Sequence, residues 1–360
     1  MRRTVAGELP AVATPTRRRW PDVLRLYPFE IATLGSMAVA FLFLRACGLR
    51  MDWQTVRYVV LPALKMLPQA LLAGVCLQIL YRLATRHPLR AYLREVARPG
   101  WWALWLRLLL AAVLMSYGYF WLKVAVPLVN PRLWDHVLWR LDTWLHFGVS
   151  PSIFASNLFA GTPLVAWLDR WYGLWVTTIF YTICFWSVGL DGRLTRRFML
   201  SCVLLWTLGS WIYLAVPAVG PIYAQPQAFE AVGDEMPSAR GGQEALWANY
   251  QRMLAGRDSG VLRQFNPTRG VAAMPSLHVG GHFLFFLWAR RRARPLVLLF
   301  ALATALTFAG SLLTGWHYAV DGYVGMLLAW LCYRAACWRE QGEPVEDAAF
   351  PRVADVSNRQ

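Results

Sequence analysis

Two short stretches of the chain hold residue types suited to nucleophilic chemistry on an anion. One is Met274-Pro275-Ser276-Leu277-His278 and the other is His317-Tyr318-Ala319-Val320-Asp321. His317 and Asp321 stand four apart, a spacing that in a helix brings both side chains to one face. A carboxylate bonded to one imidazole nitrogen fixes the tautomer and leaves the other nitrogen free to attack. His278 precedes His317 by 39 residues, enough for one helix down, a basic turn and one helix back, so the two histidines are expected at one depth. Pro275 suits the first turn of a helix, and the free N–H groups of a helix start attract anions. Taken singly, each feature has a plainer reading: His317 with Asp321 as an interfacial hydrogen-bonded pair, His278 as an ordinary helix-end histidine. Their combination favours catalysis.

His282 raises a metal alternative, because His278, His282, His317 and Asp321 could offer four ligands from two helices. No companion cluster of carboxylates stands beside them, so neither a metal nor any other cofactor is expected, and His282 is read as bonding a neighbouring backbone or supporting His278.

The elements that must position these groups are apolar. Of 360 residues, 57% are hydrophobic and 16% charged, where a soluble domain carries about 25% charged. Runs of membrane-spanning length lie near 29–47, 56–81, 101–122, 168–189, 198–217, 274–289, 296–313 and 317–336. The expected fold is therefore an all-α, polytopic integral membrane bundle of about eight transmembrane helices. Arginines cluster before the first run (Arg17, Arg18, Arg19), after the second (Arg82, Arg86, Arg90, Arg94, Arg98), after the fourth (Arg193, Arg196, Arg197) and after the sixth (Arg290, Arg291, Arg292, Arg294). Cytoplasmic loops hold such an excess, which predicts both termini inside a cell membrane and the two histidine stretches on the extracytoplasmic face. The net charge of +16 follows these loops rather than a helix face, so no nucleic-acid partner is implied.

Four regions follow: a basic cytoplasmic N-terminus, 1–28; N-terminal transmembrane helices with an outer interfacial helix, 29–167; a catalytic helical core, 168–338; and a polar tail, 339–360, expected to be disordered. The opening Met1–Trp20 does not resemble a cleavable signal peptide, and the first apolar run is expected to serve as an uncleaved one. Within 123–165 the stretch Leu133–Phe147 has the amphipathic pattern of a helix lying in the interface. Residues 218–272 start turn-rich and become polar; a connection this long is functional or disordered, a lid being one role for 224–262. The six cysteines, Cys47, Cys76, Cys184, Cys202, Cys332 and Cys337, lie in or beside apolar runs as small hydrophobes.

The Pro275-Ser276-Leu277-His278 and His317-Tyr318-Ala319-Val320-Asp321 stretches resemble the second and third motifs of the type-2 phosphatidic acid phosphatase superfamily, over residues 215–335 with weaker likeness back to Leu141-Asp142. That resemblance implies a lipid phosphatase or phosphotransferase working through a phosphohistidine, without metal. His317 would be the nucleophile, Asp321 its orienting partner, His278 the acid and base, and Ser276 a phosphate ligand. The chain departs from the phosphatase pattern: Ser311 stands where an Arg six residues before the nucleophile is usual, and no Lys-x6-Arg-Pro motif occurs. With Gly220-Pro221-Ile222-Tyr223 upstream, the closer similarity is to the inositol phosphorylceramide synthase, or inositol phosphotransferase, branch.

For the absent clamp, Arg263 and Arg269 are candidates, since guanidinium forks match phosphate oxygens; both also read as ordinary loop arginines. Tyr223 and Asp142 are candidate headgroup contacts, against an interfacial anchor and a surface carboxylate. The partners expected are a phosphorylated lipid and the bilayer. Water as acceptor would make the protein a lipid or polyprenyl phosphate hydrolase, an alcohol a transferase. A transporter using the His–Asp pair as a proton relay is the alternative of another class.

Overall fold

The computed structural model describes residues 25–49, 53–189, 192–259 and 266–338. The N-terminal arginine cluster, Arg263 and the polar tail lie outside the described residues. Every regular element is helical: α1 Pro28–Ala46, α2 Trp53–Ala84, α3 Leu89–Val96, α4 Pro99–Val129, α5 Asp135–Leu145, α6 Pro151–Phe159, α7 Pro163–Gly173, α8 Trp175–Ser187, α9 Gly192–Ala215, α10 Pro221–Ala224, α11 Glu230–Gly233, α12 Pro237–Ser259, α13 Leu277–Arg292, α14 Val297–Leu313 and α15 Ala319–Cys337.

Proline at the first turn opens α1, α4, α6 and α7, where its missing N–H costs no hydrogen bond. Exposed Leu42, Leu72, Leu106, Leu110 and Leu298 turn apolar side chains outward, as helices in lipid do. Among the described residues, four helical stretches are long and apolar enough to cross a membrane: Pro28–Ala46, Pro99–Val129, Gly192–Ala215 and Arg294–Leu313. A fifth qualifies if Val60–Met66 and Pro68–Ala84, bent by 43°, count as one span. The other three expected runs depart from that standard: α13 has 16 residues and ends in three arginines, α15 carries Asp321 in its first turn, and 168–189 is divided at Leu174 between α7 and α8.

Of the two long connecting segments, one matches the expectation and the other goes beyond it. α5 lies where the amphipathic stretch placed it, but the long polar connection is helical, chiefly in the 23 residues of α12. The boundary at 167/168 falls inside α7.

α13 packs on α15 and α14, and α4 on α9, around the main apolar core. The α13–α15 crossing is close because glycine faces glycine. A Cβ on Gly280 would lie 2.7 Å from the Gly325 carbonyl oxygen, and one on Gly325 would run into the Ser276 carbonyl. The Ser276 N–H donates to the Asp321 carbonyl at 2.9 Å, so the starts of the two helices are joined directly.

Candidate active site

Ser276 is the N-cap of α13, its Oγ accepting from the Val279 N–H at 3.5 Å, which places His278 in the first turn. Helix α15 begins only at Ala319, so His317 precedes the helix instead of belonging to its first turn. The four-residue relation survives: His317 Nδ1 is 3.4 Å from Asp321 Oδ2, long for a hydrogen bond, and the same oxygen accepts from the Tyr318 N–H at 2.9 Å. His317 and Asp321 are 3% and 0% exposed, and a carboxylate buried beside an imidazole is a partner for a ring that gains charge. On its other side, His317 Nε2 is 3.1 Å from His278 Nδ1. The expected meeting of the two histidines is observed.

Both open on a cavity of about 640 Å³. Three side chains in its wall were not anticipated. The Tyr172 hydroxyl is 2.7 Å from His278 Nδ1, and the Trp175 ring lies 3.9 Å from the His278 ring between centroids. Both flank the α7–α8 break, which turns them toward His278 together. Lys123, near the end of α4, is the third; its ammonium stands 5.8 and 5.6 Å from the Tyr119 and Tyr213 rings, within cation–π range. It forms no ion pair among the described residues. Gly270 allows the loop before α13 to press against this lysine: a Cβ there would meet Lys123 Cγ at 2.9 Å.

Three buried carboxylates tie helix ends together near the histidines. Asp142 accepts from the Ala319 N–H at 3.2 Å and the Val320 N–H at 2.9 Å, holding the start of α15. Asp135 accepts from the Val219 and Gly220 N–H groups at 3.0 and 2.8 Å and from the Tyr318 hydroxyl at 2.9 Å. Asp169 accepts from Ser238 and Ala239 at 2.9 and 2.7 Å, fixing the start of α12 over the cavity. Burial raises the Asp142 carboxyl above its ordinary range, against the opposing pull of its two N–H donors.

The expected headgroup and phosphate contacts fall elsewhere. Ser276 is fully buried under its capping role, and Asp142, on α5, is buried against the start of α15. Tyr223 donates to the Gln243 carbonyl at 2.9 Å and stacks on Trp247, its phenol held above the usual range by burial. Arg269 is exposed between Thr268 and Gly270, which line the cavity. Ser311 donates to the Phe308 carbonyl, and its own carbonyl accepts from Trp316 and His317. His282 bonds the His278 carbonyl at 2.9 Å and the Thr178 hydroxyl at 2.8 Å. No group of three or more His, Cys, Asp or Glu suited to a metal occurs among the described residues.

These features define an all-helical membrane protein with a His–His–Asp group at one end of its bundle. A family model described as the PAP2 superfamily matches residues 136–335, more than half of the chain, and the chain belongs to that superfamily. The match includes His278, His317 and Asp321 and leaves Lys123 and α1–α4 outside. No curated protein and no solved structure matches the chain.

Proposed function

We propose that this protein is a lipid phosphatase or phosphotransferase that acts through a phosphohistidine on His317. The observation that carries the reading is His317 Nε2 held 3.1 Å from His278, with Asp321 behind the ring and a cavity containing Lys123 in front. In this reading Nε2 attacks phosphorus and the ester P–O bond breaks as His278 delivers a proton to the departing alcohol oxygen. Asp321 stabilises the imidazolium. His278 then takes a proton from the acceptor, whose oxygen attacks phosphorus and releases His317. Lys123 pairs with the non-bridging oxygens as charge develops on them, the role sought for Arg263 and Arg269.

Eight crossings with both termini cytoplasmic and an extracytoplasmic site in the cell membrane are part of the same proposal. Supporting it, Arg290, Arg291 and Arg292 stand at the opposite end of α13 from His278, about 20 Å away at 1.5 Å per residue. The site's buried carboxylates and histidines gather at one end of the bundle, as an enzyme requires, rather than forming a path through it. The likeness of the Pro275–His278 and His317–Asp321 motifs to the inositol phosphotransferase branch supports inositol phosphate as the group transferred.

The test is phosphate release and headgroup transfer by the detergent-purified protein from labelled lipid phosphates and phosphoinositides, with and without a lipid alcohol acceptor. His317→Ala and a chelator serve as controls. Release abolished in His317→Ala and indifferent to chelation supports the phosphohistidine route, and inositol phosphate appearing on the lipid acceptor selects the transferase. Activity that survives His317→Ala refutes the assignment.

A further inference from the structure

A second cavity, of about 490 Å³, adjoins the first. Met115, Ser116, Phe120, Val176, Phe180 and Ile183 line both, so the two share a wall along α4 and α8. From that shared wall the lining descends α4 from Phe120 to Trp105 and α8 from Val176 to Ser187, about 22 and 17 Å at 1.5 Å per residue. Helix α8 starts beside His278, where Trp175 touches the ring, so Trp105 and Ser187 mark the end remote from the reacting atoms. Helix α2 supplies the opposite wall through Tyr58, Pro62, Met66 and Ala70. Neither α2 nor α4 belongs to the stretch matched by the family model, 136–335. This wall is supplied by the chain's own N-terminal helices.

We propose that the second cavity holds one hydrocarbon chain of the substrate, inside the protein rather than in the bilayer, and that Trp105 closes it and sets the preferred chain length. The proposal rests on the phosphoryl-transfer reading, which puts the phosphate at His317 and Lys123, with the apolar second cavity adjoining theirs for the attached chain. At roughly 30 Å³ per methylene, about the share of one water in the liquid, 490 Å³ takes about sixteen carbons. It is a site for one chain, not two. Ala112 lines the cavity midway along α4 between Trp105 and Phe120, where a larger side chain would take up space that a tail needs.

The experiment uses the full chain in detergent and a series of single-chain alkyl monophosphates from six to twenty-four carbons. Wild type is expected to prefer chains near sixteen carbons. Ala112→Trp should lower the sixteen-to-six-carbon ratio of turnover at least tenfold, and Trp105→Ala should move the optimum to longer chains by two or more carbons. Ratios within one protein separate the effect from general damage to folding. Profiles unchanged in both variants overturn the proposal while leaving phosphoryl transfer intact. Absence of His317-dependent release from every chain overturns both. A sixteen-carbon phosphate with a photoreactive terminal group gives a readout without turnover: labelling of α4 near Trp105, competed by the unlabelled phosphate, is expected. Labelling that competitor does not reduce marks a resident bilayer lipid and counts against the assignment.

Discussion

Removing the Asp142 carboxylate tests whether it binds a headgroup, as its place in the sequence implied, or holds the catalytic helix. Asp142→Ala deprives the Ala319 and Val320 N–H groups of their acceptor at the buried start of α15. A buried donor left without a partner costs about 1–3 kcal/mol, so two give about 2–6 kcal/mol, and loss of a negative charge at a helix start adds about 0.5 kcal/mol. His317 lies two residues before Ala319, so the same change displaces the proposed nucleophile. Thermal unfolding in detergent, followed with the rate of phosphate release, is expected to show a lower Tm and a fall in kcat of a hundredfold or more. Asp142→Asn recovers part of both, because its carbonyl accepts from one N–H. A headgroup ligand would behave differently: KM would rise and Tm would hold. That pattern, or an Asp142→Ala protein with unchanged Tm and kcat, would refute the capping argument. Burial raises the carboxyl in the folded state, so its contribution is fully present below about pH 4, the unfolded value, and lost as pH rises through the folded one. The Tm of Asp142→Asn should therefore depend less on pH across that window than that of wild type.

Lys123→Met is expected to reduce kcat/KM for a lipid phosphate by about a hundredfold, the usual cost of one lost electrostatic contact to a developing oxyanion, and Lys123→Arg to retain more activity; equal activity in all three removes the lysine from the site. Tyr172→Phe deletes the hydroxyl 2.7 Å from His278 Nδ1, and a hydrogen bond worth about 1 kcal/mol predicts a kcat about fivefold lower with Tm little changed, measured by initial rates. Gly325→Ala forces a methyl group onto the Ser276 carbonyl, an overpacking cost of about 1–3 kcal/mol, and should lower Tm and activity together by separating α13 from α15; a fully active, equally stable protein would show that the crossing relaxes freely.

The histidine pair was legible in the sequence because its parts are short and local: a Pro-Ser before His278, a four-residue step from His317 to Asp321, and 39 residues for two helices and a turn. Even there the helix starts later than the spacing implies, since Asp321 accepts from the Tyr318 N–H and the turns start at Ala319. The rest depends on contacts between residues far apart. Lys123 closes an apolar run and carries no motif, so only the approach of α4 to the loop at Gly270 reveals it. Tyr172 and Trp175 lie in a stretch that reads as one continuous span; the break at Leu174 gives them their directions. α12 was hidden by its polar composition and its Gly241-Gly242 pair, which interrupt any apolar period, and it is anchored by Asp169, 70 residues before Ala239. Asp142 and Ser276, candidate headgroup and phosphate contacts by sequence, turn their oxygens to backbone N–H groups.

The carboxylate ties also fix when the site can exist during synthesis. Asp142 enters the membrane 177 residues before the Ala319 N–H that it accepts from, and Asp135 precedes the Tyr318 hydroxyl by 183. At about 5–20 residues per second, the 177-residue gap is an interval of roughly 10–35 s. During it α9, α13 and α14 are added to the helices already made, and His317 comes only at its end. On the proposed function the nascent chain is inert until α15 arrives, and a chain ending before residue 317 should insert yet release no phosphate.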